Sequence, residues 1–277
     1  MLFGAHVSVA GGVQNAPINA SAIGCEVFQI FTRSPQGGNV PELTDQNIKE
    51  FLKNCKKYKQ KEWYVHTPFF INFSSANPRI KYASISVVRE ELERASLLKA
   101  KYLMTHLGSY KDLGKEKGLL QVVDSLDKML TGYKGQTEFL IEISAGSGEI
   151  IGDTFEEIAE IIHHPKLKKY KIGVCFDTQH AFASGYDLRN ELTVKKTFTE
   201  FDKVIGLENL KMSHCNDSLT EMGSHKDRHA HIGQGLIGKS GFEAIVNNKK
   251  LKDINFILET EHDLIVEDLK LLKKIRG

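Results

Sequence analysis

Short apolar runs alternate along the chain with segments of helical periodicity, and this alternation limits the fold more than any other feature of the sequence. Eight runs have the length of buried strands, and they end at His6, Thr32, His66, His106, Glu142, Asp177, His214 and Glu259. Parallel strands need a long crossover between them, which is usually a helix. The sequence therefore predicts an α/β fold in which residues 1–277 form a single (β/α)8 TIM-barrel domain.

The segments between these runs carry the apolar spacing of amphipathic helices. Apolar residues recur at i, i+3, i+4 and i+7 in three of them, at Ile48, Phe51, Leu52 and Cys55, at Leu119, Val122, Val123 and Leu126, and at Phe155, Ile158, Ala159 and Ile162. Thr154, followed three residues later by Glu157, predicts a capping box. Thr44 and Thr193 each stand just before an apolar stretch and are predicted helix starts.

Most of the predicted strands end in a side chain that can bind a metal ion. Nine such residues lie at strand ends or in the adjoining loops: His66, His106, Glu142, Asp177, His180, His214, Asp227, His229 and Glu259. Active sites of TIM barrels lie at the carboxyl ends of the strands, so we expect a multinuclear metal site there. Histidines and carboxylates without a thiolate suit Zn²⁺, Mn²⁺ or Fe²⁺, and the share of histidine favours zinc.

Composition and charge narrow the class of protein. The chain is 41% hydrophobic and 26% charged, which suits a large core, and its start lacks the pattern of a signal peptide. We therefore expect a cytoplasmic protein without a membrane segment. Its four cysteines form no C-x-x-C pair, which predicts reduced core residues. The net charge is only +2, but divalent ions on the four candidate carboxylates would make the site attractive to phosphate.

Five sequence blocks resemble the endonuclease IV family of apurinic/apyrimidinic (AP) endonucleases. They are GAHVSVAGG near the amino terminus, VCFDTQHAFASGYDLR at 174–189, HCNDS at 214–218, KDRHAHIGQGLIG at 226–238 and LET at 258–260. The resemblance runs from Leu2 to the last strand and includes every candidate ligand. It implies a TIM-barrel enzyme that holds three zinc ions and acts as a monomer on damaged double-stranded DNA. It also implies cleavage 5′ to an abasic site to leave a 3′-hydroxyl, and trimming of blocked 3′ ends.

The resemblance also assigns the ligands to individual ions. It implies that one ion is bound by His66, His106 and Glu142, a second by Glu142, Asp177, His214 and Glu259, and a third by His180, Asp227 and His229. Glu142, shared by two ions, would be the catalytic carboxylate that orients the attacking water. Apart from the resemblance, a lone histidine at a strand end is more often a hydrogen-bonded residue behind the ligands than a ligand itself, and we expect this position for His6.

The chain departs from the family at the residues that read the lesion. Relatives typically carry an arginine in the loop after the second strand and a tyrosine three residues after the first metal histidine. Here Gln36 lies near the arginine position and Phe69 at the tyrosine position. Phe69 keeps an aromatic face that can stack on a base but has no hydroxyl, and Arg33 could supply the missing charge. We expect these three residues to contact DNA.

Two other interpretations of the sequence remain open. A metal-dependent sugar isomerase or epimerase needs a Glu, Asp, His, Glu set at strand ends, which Glu142, Asp177, His214 and Glu259 could supply, but it does not need the other five ligands. A metal-dependent binding module without catalysis is the third interpretation. A glycine-rich string, GQGLIG at 233–238, matches a dinucleotide motif but does not open a first βαβ unit, so we interpret it as loop geometry.

Overall fold

Eight parallel strands close into a barrel in the computed structural model, which describes residues 1–38 and 40–277. The barrel strands are β1 (Phe3–His6), β2 (Val27–Ile30), β3 (Trp63–His66), β4 (Tyr102–Thr105), β5 (Glu138–Glu142), β6 (Ile172–Asp177), β7 (Leu210–His214) and β10 (Asn255–Leu258). Each pairs with its neighbour in the chain, and β10 pairs with β1 to close the barrel. The predicted TIM barrel is confirmed. Pairing stops just before the predicted ends Thr32, His106 and Glu259.

Helices fill the connections and pack around the barrel. They are α1 (Ala16–Ala22), α2 (Asp45–Lys57), α3 (Pro78–Leu97), α4 (Lys115–Leu130), α5 (Phe155–Ile162), α6 (Thr178–Ala183), α7 (Glu191–Val204), α8 (Gly238–Val246) and α9 (Ile265–Arg276). The three segments with predicted helical spacing lie in α2, α4 and α5. Across the described ranges 1–38 and 40–277, none of the helices has the length and apolar character to span a membrane.

The helix-start predictions were right in part. Thr44 caps α2 as predicted, in a capping box with Asn47. Thr154 caps α5 by accepting from the Glu157 N–H, but the Glu157 carboxylate accepts from Gly152 instead of closing a capping box. The prediction at Thr193 was wrong by three residues. Asn190 is the cap there, because its short amide side chain accepts from the Thr193 N–H one turn later.

The interior of the barrel is filled by apolar and aromatic side chains that point inward from the strands. These are Val27, Tyr64, Tyr102, Met104, Leu140, Cys175, Met212 and Ile257. Because strand side chains alternate between faces, the residue two positions further along each strand also points inward, one layer nearer the carboxyl end. These inward-facing side chains therefore form the floor beneath any site at the carboxyl end of the barrel. The four cysteines are buried free thiols, as the sequence predicts.

A two-stranded hairpin, β8 (Asp217–Ser218) and β9 (His229–Ala230), projects from the loop after β7. The glycine-rich string that follows it folds around the carboxylate of Asp217. Backbone N–H groups of Gly233, Gly235, Ile237 and Gly238 all donate to that carboxylate. Gly235 is required, because a Cβ atom there would lie 2.5 Å from the Ser218 carbonyl oxygen. The string is therefore a structural loop, whose anion is the chain's own aspartate.

Candidate metal centre

All nine predicted ligands meet at the carboxyl end of the barrel, in and beneath a cleft of about 610 Å³. Their ligand atoms fall into three groups, each with all of its atoms within 4.8 Å of one another: His66, His106 and Glu142; Glu142, Asp177, His214 and Glu259; Asp177, His180 and His229. Asp227 lies beside the third group. The strand period brings six of these residues together, because each stands two positions after a floor residue.

Glu142 is the centre of the cluster. Its Oε2 atom lies 2.8 Å from His66 Nε2 and 3.4 Å from His106 Nε2. Its Oε1 atom lies 2.7 Å from His214 Nδ1. The side chain is fully buried beneath the cleft. One carboxylate therefore faces two neighbouring groups of ligands, as a carboxylate that bridges two ions must.

The second group lies deepest. His214 Nδ1 is 3.2 Å from Glu259 Oε2 and 3.8 Å from Asp177 Oδ2. Asp177 and His214 are fully buried, and Asp177 also caps α6 by accepting from the His180 N–H. The cap fixes the carboxylate at the point where β6 turns into the helix. This group is held by the barrel itself.

The third group lies at the rim of the cleft, where the hairpin meets α6. The Asp227 carboxylate lies 3.4 Å from His180 Nε2 and 3.3 Å from His229 Nε2. Its side chain is 54% exposed. His229 Nε2 is buried without a hydrogen bond to any of the described residues. A buried nitrogen that faces a carboxylate and lacks a hydrogen bond is suited to an ion.

Two of the histidines, His66 and His180, present one nitrogen to the cluster and hydrogen-bond to the backbone with the other. Nδ1 of His66 lies 2.6 Å from the Thr67 carbonyl oxygen, and Nδ1 of His180 lies 2.9 Å from that of Ile143. Both rings thereby turn Nε2 toward the carboxylates. Metal-binding histidines usually have this arrangement, with the second nitrogen donating to a carbonyl or carboxylate. The donor set and its orientation therefore fit divalent ions.

Charges in the cluster compensate one another. Burial alone would raise the pKa of Glu142, but His106 and His214 hold it well below its usual range. Burial lowers the pKa of His106 to about 4, so this ring is neutral at pH 7. Burial would also lower the pKa of His180, but Asp177 and Asp227 raise it well above the usual value. Glu142 is thus ionised, and a bound cation would replace the proton on His180.

Two buried amides were not predicted from the sequence. Gln29 lies on β2 and Asn216 follows β7, and both contact ligands of the second group. His6 lies behind Gln29, with its Nδ1 atom 3.0 Å from the Gln29 amide nitrogen. The strand register could have indicated Gln29, because this polar residue interrupts an apolar strand two positions after the floor residue Val27. The same spacing places the ligands on the other strands.

The residues expected to contact DNA lie in different environments. Phe69 is 67% exposed at the cleft, with its ring edge-on to Phe31 at 5.3 Å. Gln36 is exposed in the loop after β2. Arg33, in contrast, is buried, and its guanidinium pairs with Glu91 and Glu90 of α3, each at 2.7 Å. These carboxylates hold Arg33 away from solvent, so its placement does not favour a contact with phosphate.

Comparisons with known proteins agree with the resemblance of the sequence. The profile of the xylose isomerase-like TIM barrel family matches residues 18–275. The probable endonuclease 4 of Halothermothrix orenii is 39% identical over 279 residues, which cover 99% of this chain and 100% of that protein. The crystal structure of endonuclease IV from Thermus thermophilus superposes with a TM-score of 0.88 at 30% identity, covering 99% of this chain and 98% of that one.

Sugar epimerases share only the fold. The crystal structure of a D-tagatose 3-epimerase-like protein superposes with a TM-score of 0.76 at 20% identity, covering 99% of this chain and 97% of that one. At this level of identity the likeness establishes the barrel and nothing about the reaction. The matches to the endonuclease 4 relative and to the solved endonuclease IV structure cover almost the whole length of each chain, and they establish the family. The chain belongs to the endonuclease IV family of nucleases.

Proposed function

We propose that the chain is a DNA-repair endonuclease that hydrolyses the phosphodiester 5′ to an abasic site, with three zinc ions, and leaves a 3′-hydroxyl. Removal of blocked groups from 3′ ends uses the same site. Zinc is favoured by the five histidines of the donor set, although Mn²⁺ or Fe²⁺ would suit one or more of the positions. The enzyme acts as a monomer on damaged double-stranded DNA.

The observation that carries this proposal is the convergence of all nine ligands on one cleft. An epimerase-type site would use the second group alone and leave the others without a role. Here His66 and His106 stand on one side of Glu142, while His180, Asp227 and His229 stand at the rim. Five extra ligand side chains in a family of nucleases support a phosphodiester as the substrate.

The chain's own residues would divide the work as follows. Divalent ions bound in the cluster supply Lewis acidity toward water and toward the phosphate oxygens. Glu142 presents one oxygen to each of two groups, and this orients the attacking water between them. Asp227 and His229, at the rim, stand where a phosphate entering the cleft arrives first. Phe69 projects beside His66 in the same cleft and offers an aromatic face to an unpaired base.

The test is a duplex with one abasic site, labelled at both ends and incubated with zinc-loaded protein. We expect a single cut that yields a 3′-hydroxyl and a 5′-terminal abasic phosphate, identified by mass spectrometry. An undamaged duplex of the same sequence and a chelator-treated sample should stay intact. Cleavage on the 3′ side, or equal cleavage of the undamaged duplex, would contradict the proposal. Epimerisation of a ketose without DNA cleavage would support the alternative function.

A further inference from the structure

Glu259 is held by two buried amide side chains, one on each of its carboxylate oxygens. Gln29 Nε2 donates to Glu259 Oε1 at 2.8 Å. Asn216 Nδ2 lies 3.5 Å from Glu259 Oε2, and Asn216 Oδ1 accepts from the Glu259 backbone N–H at 2.8 Å. Both amides are fully buried. Because Glu259 lies just beyond the last paired residue of β10, these bonds fix a side chain that the sheet alone would leave free to turn.

The same two amides also hold the other outer ligands of the second group. Gln29 Oε1 lies 2.8 Å from His214 Nε2, so that ring nitrogen donates to the amide and Nδ1 is left to face the cluster. Asn216 Nδ2 donates to Asp177 Oδ2 at 2.7 Å. The remaining proton of the Gln29 amide points to His6 Nδ1 at 3.0 Å. Every polar atom of the Gln29 side chain is therefore used, and its orientation is fixed.

Asp227, the carboxylate at the rim, has no equivalent support from a buried amide within the described residues. The side-chain contacts of Asp227 are to His180 and His229, themselves candidate ligands. Asp227 is more than half exposed, whereas Gln29 and Asn216 lie at 0% exposure. A ligand that is oriented before an ion arrives loses less conformational entropy on binding it. The two ends of the cluster therefore differ in how strongly their geometry is fixed in advance.

We propose that Gln29 and Asn216 are positioning residues that make the group of Glu142, Asp177, His214 and Glu259 the tightest ion position of the cluster. This inference depends on the proposed function only in requiring that the cluster binds divalent ions. Neither amide touches the substrate or carries charge. They act by holding three ligands in the orientation that the ion needs.

The test replaces Gln29 with methionine, which keeps the length of the side chain but removes its hydrogen bonds. Gln60→Met is the matched control, because Gln60 is also buried but bonds to the Cys25 carbonyl at the amino end of the barrel. Ions are counted by competition of Zn²⁺ and Co²⁺ with a chelator. Their positions are identified from anomalous scattering in crystals grown with limiting Zn²⁺. Melting temperatures show that each variant is folded.

We expect Gln29→Met to bind the ion of the second group roughly 10–100-fold more weakly, as loss of an outer hydrogen bond to a ligand typically does. The first and rim positions should keep their parental order, and Gln60→Met should match the parent. Parental affinity at the second group in Gln29→Met, or equal weakening at every position, would overturn the inference. If the methionine variant does not fold, Gln29→Ser gives the same comparison, because serine is too short to make the hydrogen bonds of Gln29 to Glu259 and His214.

The outcome also separates this inference from the proposed function. A parent protein that binds fewer than three ions contradicts the three-ion proposal, but the chelator competition of the variants still decides whether Gln29 tightens one of them. A parent that binds no divalent ion overturns both. Parental metal binding together with absent DNA cleavage overturns the function alone.

Discussion

The deep and rim ends of the metal cluster are built differently, although both are rich in histidine and carboxylate. The deep end takes Asp177 and His214 from barrel strands, and both side chains are fully buried. The rim end takes His229 from the hairpin strand β9 and Asp227 from the loop that joins β8 to β9, and Asp227 is largely exposed. Side chains on paired strands move little, whereas loops and small hairpins open at low cost in free energy.

This difference suggests a division of labour within one site. Ligands fixed by the barrel keep their geometry whether or not substrate is bound. Asp227, exposed in the loop between the hairpin strands, would be able to adjust when a substrate enters the cleft. The deep group would then set the chemistry, and the rim group would respond to the substrate. Changes at the two ends should therefore have unequal effects.

The largest effect is expected at Glu142, the carboxylate that joins the deep group to the first. Glu142→Gln keeps the shape of the side chain but removes the negative charge that faces both groups. We expect turnover to fall by about 10³-fold or more, with much weaker loss of DNA binding, because the interaction is needed in the transition state. Single-turnover cleavage and equilibrium binding measure the two separately.

Glu138→Gln is the matched control, because Glu138 begins the same strand at the opposite end of the barrel. It should cleave like the parent. Near-parental cleavage by Glu142→Gln would show that Glu142 is not the catalytic carboxylate of the deep group.

The direct comparison of the two ends is Asp177→Asn against Asp227→Asn. Both changes remove one charge at nearly constant volume. Loss of a partner from a buried charged group costs about 3–5 kcal/mol, whereas an exposed pair contributes less than about 1 kcal/mol. We therefore expect Asp177→Asn to weaken zinc binding about 100-fold more than Asp227→Asn does, measured by chelator competition. Equal losses would show that burial does not separate the two ends.

Phe69 is the exposed aromatic side chain of the cleft that we expect to recognise the lesion. Phe69→Ala removes an exposed aromatic side chain, and loss of a base-stacking aromatic typically costs about 1–3 kcal/mol of binding. The loss should appear for a duplex with an abasic site and be smaller for an intact duplex. Leu192→Ala, which removes another exposed apolar side chain on α7, should leave both affinities unchanged. Parental affinities in Phe69→Ala would assign lesion recognition to other loops.

The barrel, and the convergence of the candidate ligands at one end of it, could be predicted from the sequence because both depend on local patterns. Strand and helix periodicities are visible within a dozen residues, and strand ends place polar side chains at one end of any parallel barrel. The amides could not be predicted in the same way. Gln29 contacts Glu259 across 230 positions of sequence, and only closure of β10 and β2 around β1 brings them together. Amides are not among the usual ligands of zinc, so the residue type gave no signal.

Arg33 shows the same limit for a loop. Its charge and position after β2 made it a candidate for contact with phosphate. The sequence does not show that Glu90 and Glu91 of α3 lie against that loop, because the pairing depends on how the helix packs beside the barrel. Gln36 of the same loop is exposed but has no charge.

Gln36→Arg should place a positive charge in the exposed loop after β2, away from the buried ligands of the deep end. One additional contact with a phosphate releases about one counterion, so the slope of log affinity against log salt should steepen by roughly 0.9. Binding should tighten at low salt and return toward the parental value at high salt. Ser34→Arg, in the same loop, is the control for charge alone. An unchanged slope in Gln36→Arg would place Gln36 outside the path of the DNA.

The smallest effect concerns a histidine that ties the rim to the rest of the barrel. His231, two residues after His229, has its Nδ1 atom 2.7 Å from Asp268 Oδ2 of α9 and its Nε2 atom 3.1 Å from Asp263 Oδ1. Burial alone would lower the pKa of His231, but the bonded Asp268 carboxylate raises it above the usual value. The protonated ring therefore stabilises the folded state below about pH 6.5, and this contribution is lost as the pH rises through the raised pKa.

His231→Gln should accordingly lower the free energy of unfolding by no more than about 1 kcal/mol below pH 6.5, and by less at higher pH. His163→Gln is the control, because His163 bonds to the Ile205 carbonyl and faces no carboxylate at that nitrogen. Urea unfolding of the chelated proteins at pH 5.5 and pH 8.5 measures both without the contribution of bound ions. A loss that grows with pH would contradict the sign. A pH-independent loss would mean that the neutral ring contributes as much as the charged one, so that packing, and not charge, holds the rim loop against α9.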